Sequence, residues 1–85
     1  MSRKYIIVET LGHPVPILFS PLIDHSTFLE YYHKDLIVSA GFFDMYSGQD
    51  NHDYHYVGTH GGSTTLKIKC HPGDKKIIEE FLNRN

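Results

Sequence analysis

The sequence predicts a small α+β domain: an antiparallel β-sheet in the order ββαβββα, with two helices packed on one face. Three observations carry this. Residues 35–43 (DLIVSAGFF) are the longest nearly unbroken apolar run, rich in the β-branched and aromatic residues of a buried central strand. Residues 63–70 (STTLKIKC) alternate Thr64, Leu66, Ile68 and Cys70 against Ser63, Thr65, Lys67 and Lys69, the period of a half-buried strand. Ile77, Ile78, Phe81 and Leu82 form one helical stripe opposite Lys75, Lys76, Glu79, Glu80 and Arg84.

The remaining elements follow in chain order. Residues 4–10 (KYIIVET) and 15–19 (VPILF) read as two strands, and Pro16, which has no N–H for a ladder, assigns the second to an edge. Residues 24–33 read as a short helix, with Asp24 or Ser26 as N-cap and Phe28, Leu29 and Tyr32 on its docking face. Within the central strand, alternation sets Leu36, Val38, Ala40 and Phe42 against Ile37, Ser39, Gly41 and Phe43. The small pair Ser39 and Gly41 marks close approach of a backbone, an aromatic ring or a ligand. Residues 44–51 read as a polar loop and residues 53–60 as a strand. Gly61 and Gly62 then fit a tight hairpin turn into residues 63–70. The last helix opens at Pro72 or Asp74 and runs to Arg84.

Composition bounds the function. The 85 residues make a single domain, 1–85, able to bury only about 60 to 65 per cent of its unfolded surface. Self-association into a homo-oligomer is therefore expected. One cysteine excludes an internal disulfide and suits a cytoplasmic protein, and the apolar run of residues 5–8 is too short for a signal sequence or a membrane span. A formal net charge of −2 with well-mixed signs offers no footprint for duplex nucleic acid. Charging all seven histidines would move that net charge to +5, so pH is the strongest electrostatic lever on the chain. At least one of His25, His55 and His60, each beside an aromatic or apolar element, is expected to be buried neutral.

The chemistry-bearing groups resolve into few candidates. His52, His55 and His60 with Asp50 and Asp53 resemble a metal set, but His52 and His60 are about 26 Å apart on an extended strand and His55 faces away. No metal or other cofactor is expected. Cys70 and His71 project oppositely, and Cys70 reads as a small buried hydrophobe. No nucleophile, base and orienting group come together, so catalysis is not expected. The stretch GTHGGSTT (residues 58–65) can offer backbone N–H groups and hydroxyls to a polar ligand, although it lacks the lysine and spacing of a phosphate-binding P-loop. The expected ligand-binding residues are His25, Tyr54, Tyr56, His60, Ser63 and Thr65, with the tyrosines as stacking surfaces.

One pattern spans most of the chain: an N-terminal strand, residues 17–19 (ILF), His25, residues 39–42 (SAGF), residues 62–66 (GSTTL) and a closing amphipathic helix. In this it resembles short uncharacterised proteins of bacteria, phages and prophages, from which the chain departs by its His- and Tyr-rich residues 44–56. The resemblance implies a non-enzymatic accessory protein in a counter-defence role, sequestering a nucleotide-like signalling ligand. The alternative is a protein-protein inhibitor or adaptor that blocks a host protein through the Tyr/His-rich loop.

Overall fold

The computed structural model describes residues 2–48, 50 and 53–84. Its apolar runs pair as a four-stranded antiparallel sheet. Strand β1 (Arg3–Thr10) turns at Leu11 and Gly12, with φ of 52° and 79°, into β2 (His13–Phe19). Strands β3 (Ile37–Ser47) and β4 (His55–His60) pair from Phe42 with His60 to Ser47 with His55, and the order across the sheet is β2-β1-β3-β4. Pro16 therefore does stand on an edge strand. Two short strands, β5 (Gly62–Ser63) and β6 (Ile68–Lys69), form a separate ribbon before the single α-helix, α1 (Asp74–Leu82).

Both faces of the sheet are covered, because four consecutive residues of β1 are apolar. Tyr5, Ile6, Ile7 and Val8 are each at most 1 % exposed and alternate between two cores. Ile6 and Val8 join Phe19, Ile37, Ala40 and Leu66 under Phe28 and Tyr32, whereas Tyr5 and Ile7 join Phe43, Val57 and Ile78 under Ile77 and Leu82. The helical segments thus lie on opposite faces, not on one as the sequence suggests. A continuous apolar run needs cover on each side, while a single helix stripe supplies one.

Four further expectations are corrected. Residues 24–33 form no α-helix: they give a 3-10 helix at His25–Glu30, followed by another at Lys34–Leu36. Asp24 makes no side-chain cap bond, and the rings at 28, 31 and 32 lose rotamer freedom in an α-helix, so docking of His25 and Phe28 on the sheet decides the local shape. Residues 63–70 are not one strand. The Ser63 hydroxyl accepts the Leu66 N–H at 3.1 Å and Lys67 adopts φ of 58°, which folds the chain back so that Ser63 pairs with Ile68. Gly61 has the expected positive φ, 73°, but its bend leads from β4 into this ribbon and makes no hairpin with β4. Finally, Asp44 to Ser47 extend β3 instead of starting a loop. Gln49 and Asn51 of that expected loop lie outside the described residues, as does His52 of the metal set.

Ser39 and Gly41 do mark a close approach. An added Cβ at Gly41 would stand 3.0 Å from the His60 carbonyl oxygen, 3.1 Å from the Tyr5 hydroxyl and 3.2 Å from Cys70 Cβ. Next to it, one carboxylate oxygen of Asp74 accepts from the Tyr5 hydroxyl at 2.5 Å, from the Ser39 hydroxyl and from the His71 N–H at 2.9 Å. Tyr5, Ser39 and Asp74 are all at least 97 % buried, so the first turn of α1 is bolted to the two inner strands by a satisfied polar knot. Burial above all, then the hydrogen bond to Asp74, holds the Tyr5 phenol protonated well above the usual tyrosine range.

Candidate functional site

The bend at Gly61 and the ribbon that follows enclose a concavity of about 430 Å³, walled by residues 61–64 and 67–69. It is lined by Gly61, Gly62, Ser63, Thr64, Lys67, Ile68 and Lys69, and most of the lining surface is apolar. Each cation is exposed, on a turn or ribbon that lies against the polar knot, with the Lys69 carbonyl oxygen 3.3 Å from Ser39 Oγ. Lysine, hydroxyl-bearing and glycine residues around a mainly apolar depression are residue types that suit a ligand with an apolar body and an anionic, oxygen-rich end. A larger concavity, about 620 Å³, lies between Arg3 and the end of β2 at Leu18 to Pro21 and offers only one cation.

The expected ligand residues separate into three places. Ser63 lines the glycine concavity itself, and His60 reaches it through Phe42. The His60 ring stacks on Phe42 with ring centroids 5.8 Å apart and planes at 13°, and the Phe42 ring lies against Gly61, 3.0 Å from where a Cβ would be. His25 sits behind the same ring, 4 % exposed, where it meets Phe42 edge-on at 5.6 Å and Phe19 at 5.4 Å. Its Nε2 is 3.0 Å from the Gly41 carbonyl oxygen, and burial lowers its pKa below the usual histidine value. His25 is thus packed into the aromatic wall formed by Phe19 and Phe42. Of the hydroxyl row expected to face a cleft, Thr65 is exposed, but Ser63 is 5 % exposed and its hydroxyl serves Thr65 and Leu66. Ser63 therefore lines the concavity beside Thr64 but is mostly buried, with its hydroxyl engaged inside the ribbon and not facing solvent. Tyr54 and Tyr56, rings 4.8 Å apart, stand away on the β3–β4 hairpin, Tyr56 four strand positions or roughly 13 Å from His60.

The lysines and Thr64 were missed because the alternation in residues 63–70 suggested that both lysines were plain solvent-face positions. The signal that finds them is positional: Lys67 and Lys69 flank Ile68, which pairs with Ser63 across the ribbon while Lys69 pairs with Gly62. Cys70 is half-buried, not fully, and packs beside Ile77 and Leu82.

A second polar cluster imitates a catalytic triad. Ser2 Oγ donates to Asp44 Oδ1 at 2.8 Å and lies 3.2 Å from His60 Nε2, which in turn lies 3.2 Å from Asp44 Oδ2. Here serine and carboxylate share one ring nitrogen, whereas a relay needs them on opposite nitrogens. The cluster ties the N-terminal residues to the β3–β4 pair. The Ser2 hydroxyl, and secondarily His60, hold the Asp44 carboxyl below its usual pKa. Sequence reasoning had no access to it, since Ser2 is 42 and 58 residues from its partners. Among the described residues, no three His, Cys, Asp or Glu side chains converge as a metal site, and no helix is long and apolar enough to cross a membrane. No family model, curated protein or solved structure matches the chain.

Proposed function

We propose that this chain is a non-enzymatic binding protein that holds a nucleotide-like small molecule in the glycine-walled concavity. The observation that supports this most directly is the grouping of Lys67, Lys69, Ser63 and Thr64 with Gly61, Gly62 and Ile68 around one concavity. Lysines meet phosphate as point charges while the glycine backbone lets the anion approach closely. The stacked His60 and Phe42 at its rim offer a face for a base. In this reading the protein sequesters a signalling nucleotide in the cytoplasm, a phage-type counter-defence role that the sequence pattern suggested.

The test is a thermal-shift and calorimetric screen of nucleoside mono-, di- and triphosphates and cyclic dinucleotides. A binder present at a hundredfold excess over its Kd stabilises the fold by about 2.7 kcal/mol. The Lys67→Ala/Lys69→Ala variant is expected to lose that binder at least tenfold while melting like the parent. A screen without any stabilising nucleotide, or a double variant that binds equally well, overturns the reading.

A second reading is favoured by a separate observation. Tyr46 and Tyr56, direct cross-strand partners on the β3–β4 hairpin, are 57 % and 47 % exposed. So large an aromatic surface supports a protein-protein inhibitor or adaptor acting through the Tyr/His-rich hairpin.

A further inference from the structure

The larger concavity, at the end of the β1–β2 pair away from the Leu11–Gly12 turn, has a chemistry of its own. It is lined by Arg3, Leu18, Phe19, Ser20 and Pro21 and measures about 620 Å³. Arg3 is exposed and, among the described residues, makes no ion pair, hydrogen bond or cation–π contact. Carboxylates on the adjoining segments are otherwise engaged. Asp24, beyond the turn that follows β2, stands 3.9 Å from Lys4 Nζ, and Asp44, next to the Arg3 partner Phe43, accepts from Ser2 and meets His60.

The turn after β2 is held from several sides. The Ser20 carbonyl accepts the Ile23 N–H at 3.1 Å, and the Ser20 hydroxyl oxygen accepts the Leu22 N–H at 3.1 Å. Lys4 Nζ ties this turn to β1 through the Ile23 carbonyl at 3.0 Å, and the ring of Pro21 fixes its own φ. With its oxygen serving as acceptor, the Ser20 hydroxyl keeps its proton for another group. Two prolines cannot serve the β1 ladder, so residues of their parity on β2 turn their peptide groups to the open edge. Of Pro14, Pro16 and Leu18, only Leu18 has an N–H there.

These groups select the occupant. One guanidinium matches one negative charge, and its planar fork takes a carboxylate through two parallel bonds. A phosphate monoester carries nearly two charges and would find no second cation lining the concavity. An extended partner chain could not continue along β2, because Pro14 and Pro16 offer it no N–H. What fits is small and ends here, with an apolar body against Leu18, Phe19 and Pro21.

We propose that this concavity is a second ligand site, taking a small apolar monocarboxylate whose carboxylate meets Arg3 and the Ser20 hydroxyl. It is separate from the lysine concavity, and neither assignment depends on the other.

The experiment titrates hexanoate, hexanamide, acetate, hexyl phosphate and N-acetyl-Gly-Gly-Leu into the full chain and follows the amide resonances. Hexanoate is expected to shift residues 3, 18–20 and 22, to bind at least fivefold more tightly than hexanamide or acetate, and to weaken as salt rises. Arg3→Gln, at an exposed position without a partner, is expected to melt within a few degrees of the parent and to lose hexanoate affinity at least tenfold. Should that variant unfold, Arg3→Lys, which keeps the charge and loses the fork, is expected to fold and to bind at least threefold more weakly than the parent. No saturable shift with hexanoate up to tens of millimolar, hexanamide binding as tightly as hexanoate, or a folded Arg3 variant binding like the parent overturns the proposal. Tighter binding of hexyl phosphate overturns the choice of a monoanion. Tighter binding of N-acetyl-Gly-Gly-Leu would assign the site to the end of a partner chain and overturn the small acid. Shifts confined to residues 61–69 would place the acid in the lysine concavity and overturn the second site.

Discussion

His25 is the residue through which pH reaches the fold. It is wedged between Phe19 and Phe42 with its Nε2 on the Gly41 carbonyl, and the groups around it are Lys4 on β1, Asp24 beside it, and His60 across the Phe42 ring. Lys4 Nζ donates to the Ile23 carbonyl at 3.0 Å and stands 5.9 Å from the Phe42 ring centre, so a proton on His25 would add a second positive charge to a buried neighbourhood. The pKa is lowered, mainly by burial, so the unfolded chain binds the proton more readily than the folded one. Stability is therefore whole above the unfolded value of about 6.5 and declines as pH falls from there towards the folded value. Melting temperature should drop between pH 7.5 and 5.5. In His25→Gln, whose amide keeps a donor for Gly41 and does not titrate, this drop should be smaller than in the parent. Parallel melting curves for the two proteins across that range would remove His25 from this role.

At the scale of elements, the two sheet edges are guarded by different means. Strand β2 places Pro14 and Pro16 on one parity, opposite Glu9 and Ile7, and neither has an N–H for a ladder. Strand β4 is guarded by α1: Glu79 accepts from the Val57 N–H at 2.8 Å, while Asn83 accepts from the His55 N–H at 2.8 Å and returns a bond to its carbonyl at 2.9 Å. Glu79 reads from the sequence as part of a solvated stripe, yet it completes a strand edge. Replacing both, Glu79→Ala/Asn83→Ala, should cost about 1 kcal/mol per lost bond in urea unfolding and free the β4 edge for strand addition. Size-exclusion chromatography and thioflavin binding would then report assemblies larger than the parent's. A dye-silent double variant of the parent's size would show that the helix does not protect this edge.

For the whole molecule, three thin layers share a small chain: the 3-10 segments and ribbon, the sheet, and α1. Leu22, Leu29, Leu36 and Tyr31 remain 42 % exposed or more around the 3-10 segments. With its edges guarded, the molecule can gain burial only face to face, and we expect self-association through this apolar side, away from the acidic hairpin. Sedimentation at tens of micromolar should show a dimer that Leu29→Ser/Leu36→Ser dissociates. A monomeric parent at that concentration would reject the expectation.

Local sequence by itself determined β1, β2, the first part of β3, β4 and the final helix, because alternation, the apolar run of β1 and the stripe of Ile77, Ile78 and Leu82 are properties of neighbouring residues. It also determined that Ser39 and Gly41 face something close and that Pro16 stands on an edge. What tertiary structure alone decided was which partners meet. The Asp74 knot joins residues 35 and 69 positions apart. A bulge between Ile7 and Val8, which pairs Val8 with Ile37 and leaves Val38 outside, moves Ile37 to the face of Ala40 against strict alternation. The lysine concavity likewise exists only because Lys67 takes a left-handed turn that returns Ile68 to Ser63. Hydroxyl and apolar residues alternate in a strand and in such a turned ribbon alike. The choice between them came from packing Leu66 against Ile37 and the ribbon against β3, a long-range burial that no window of eight residues contains.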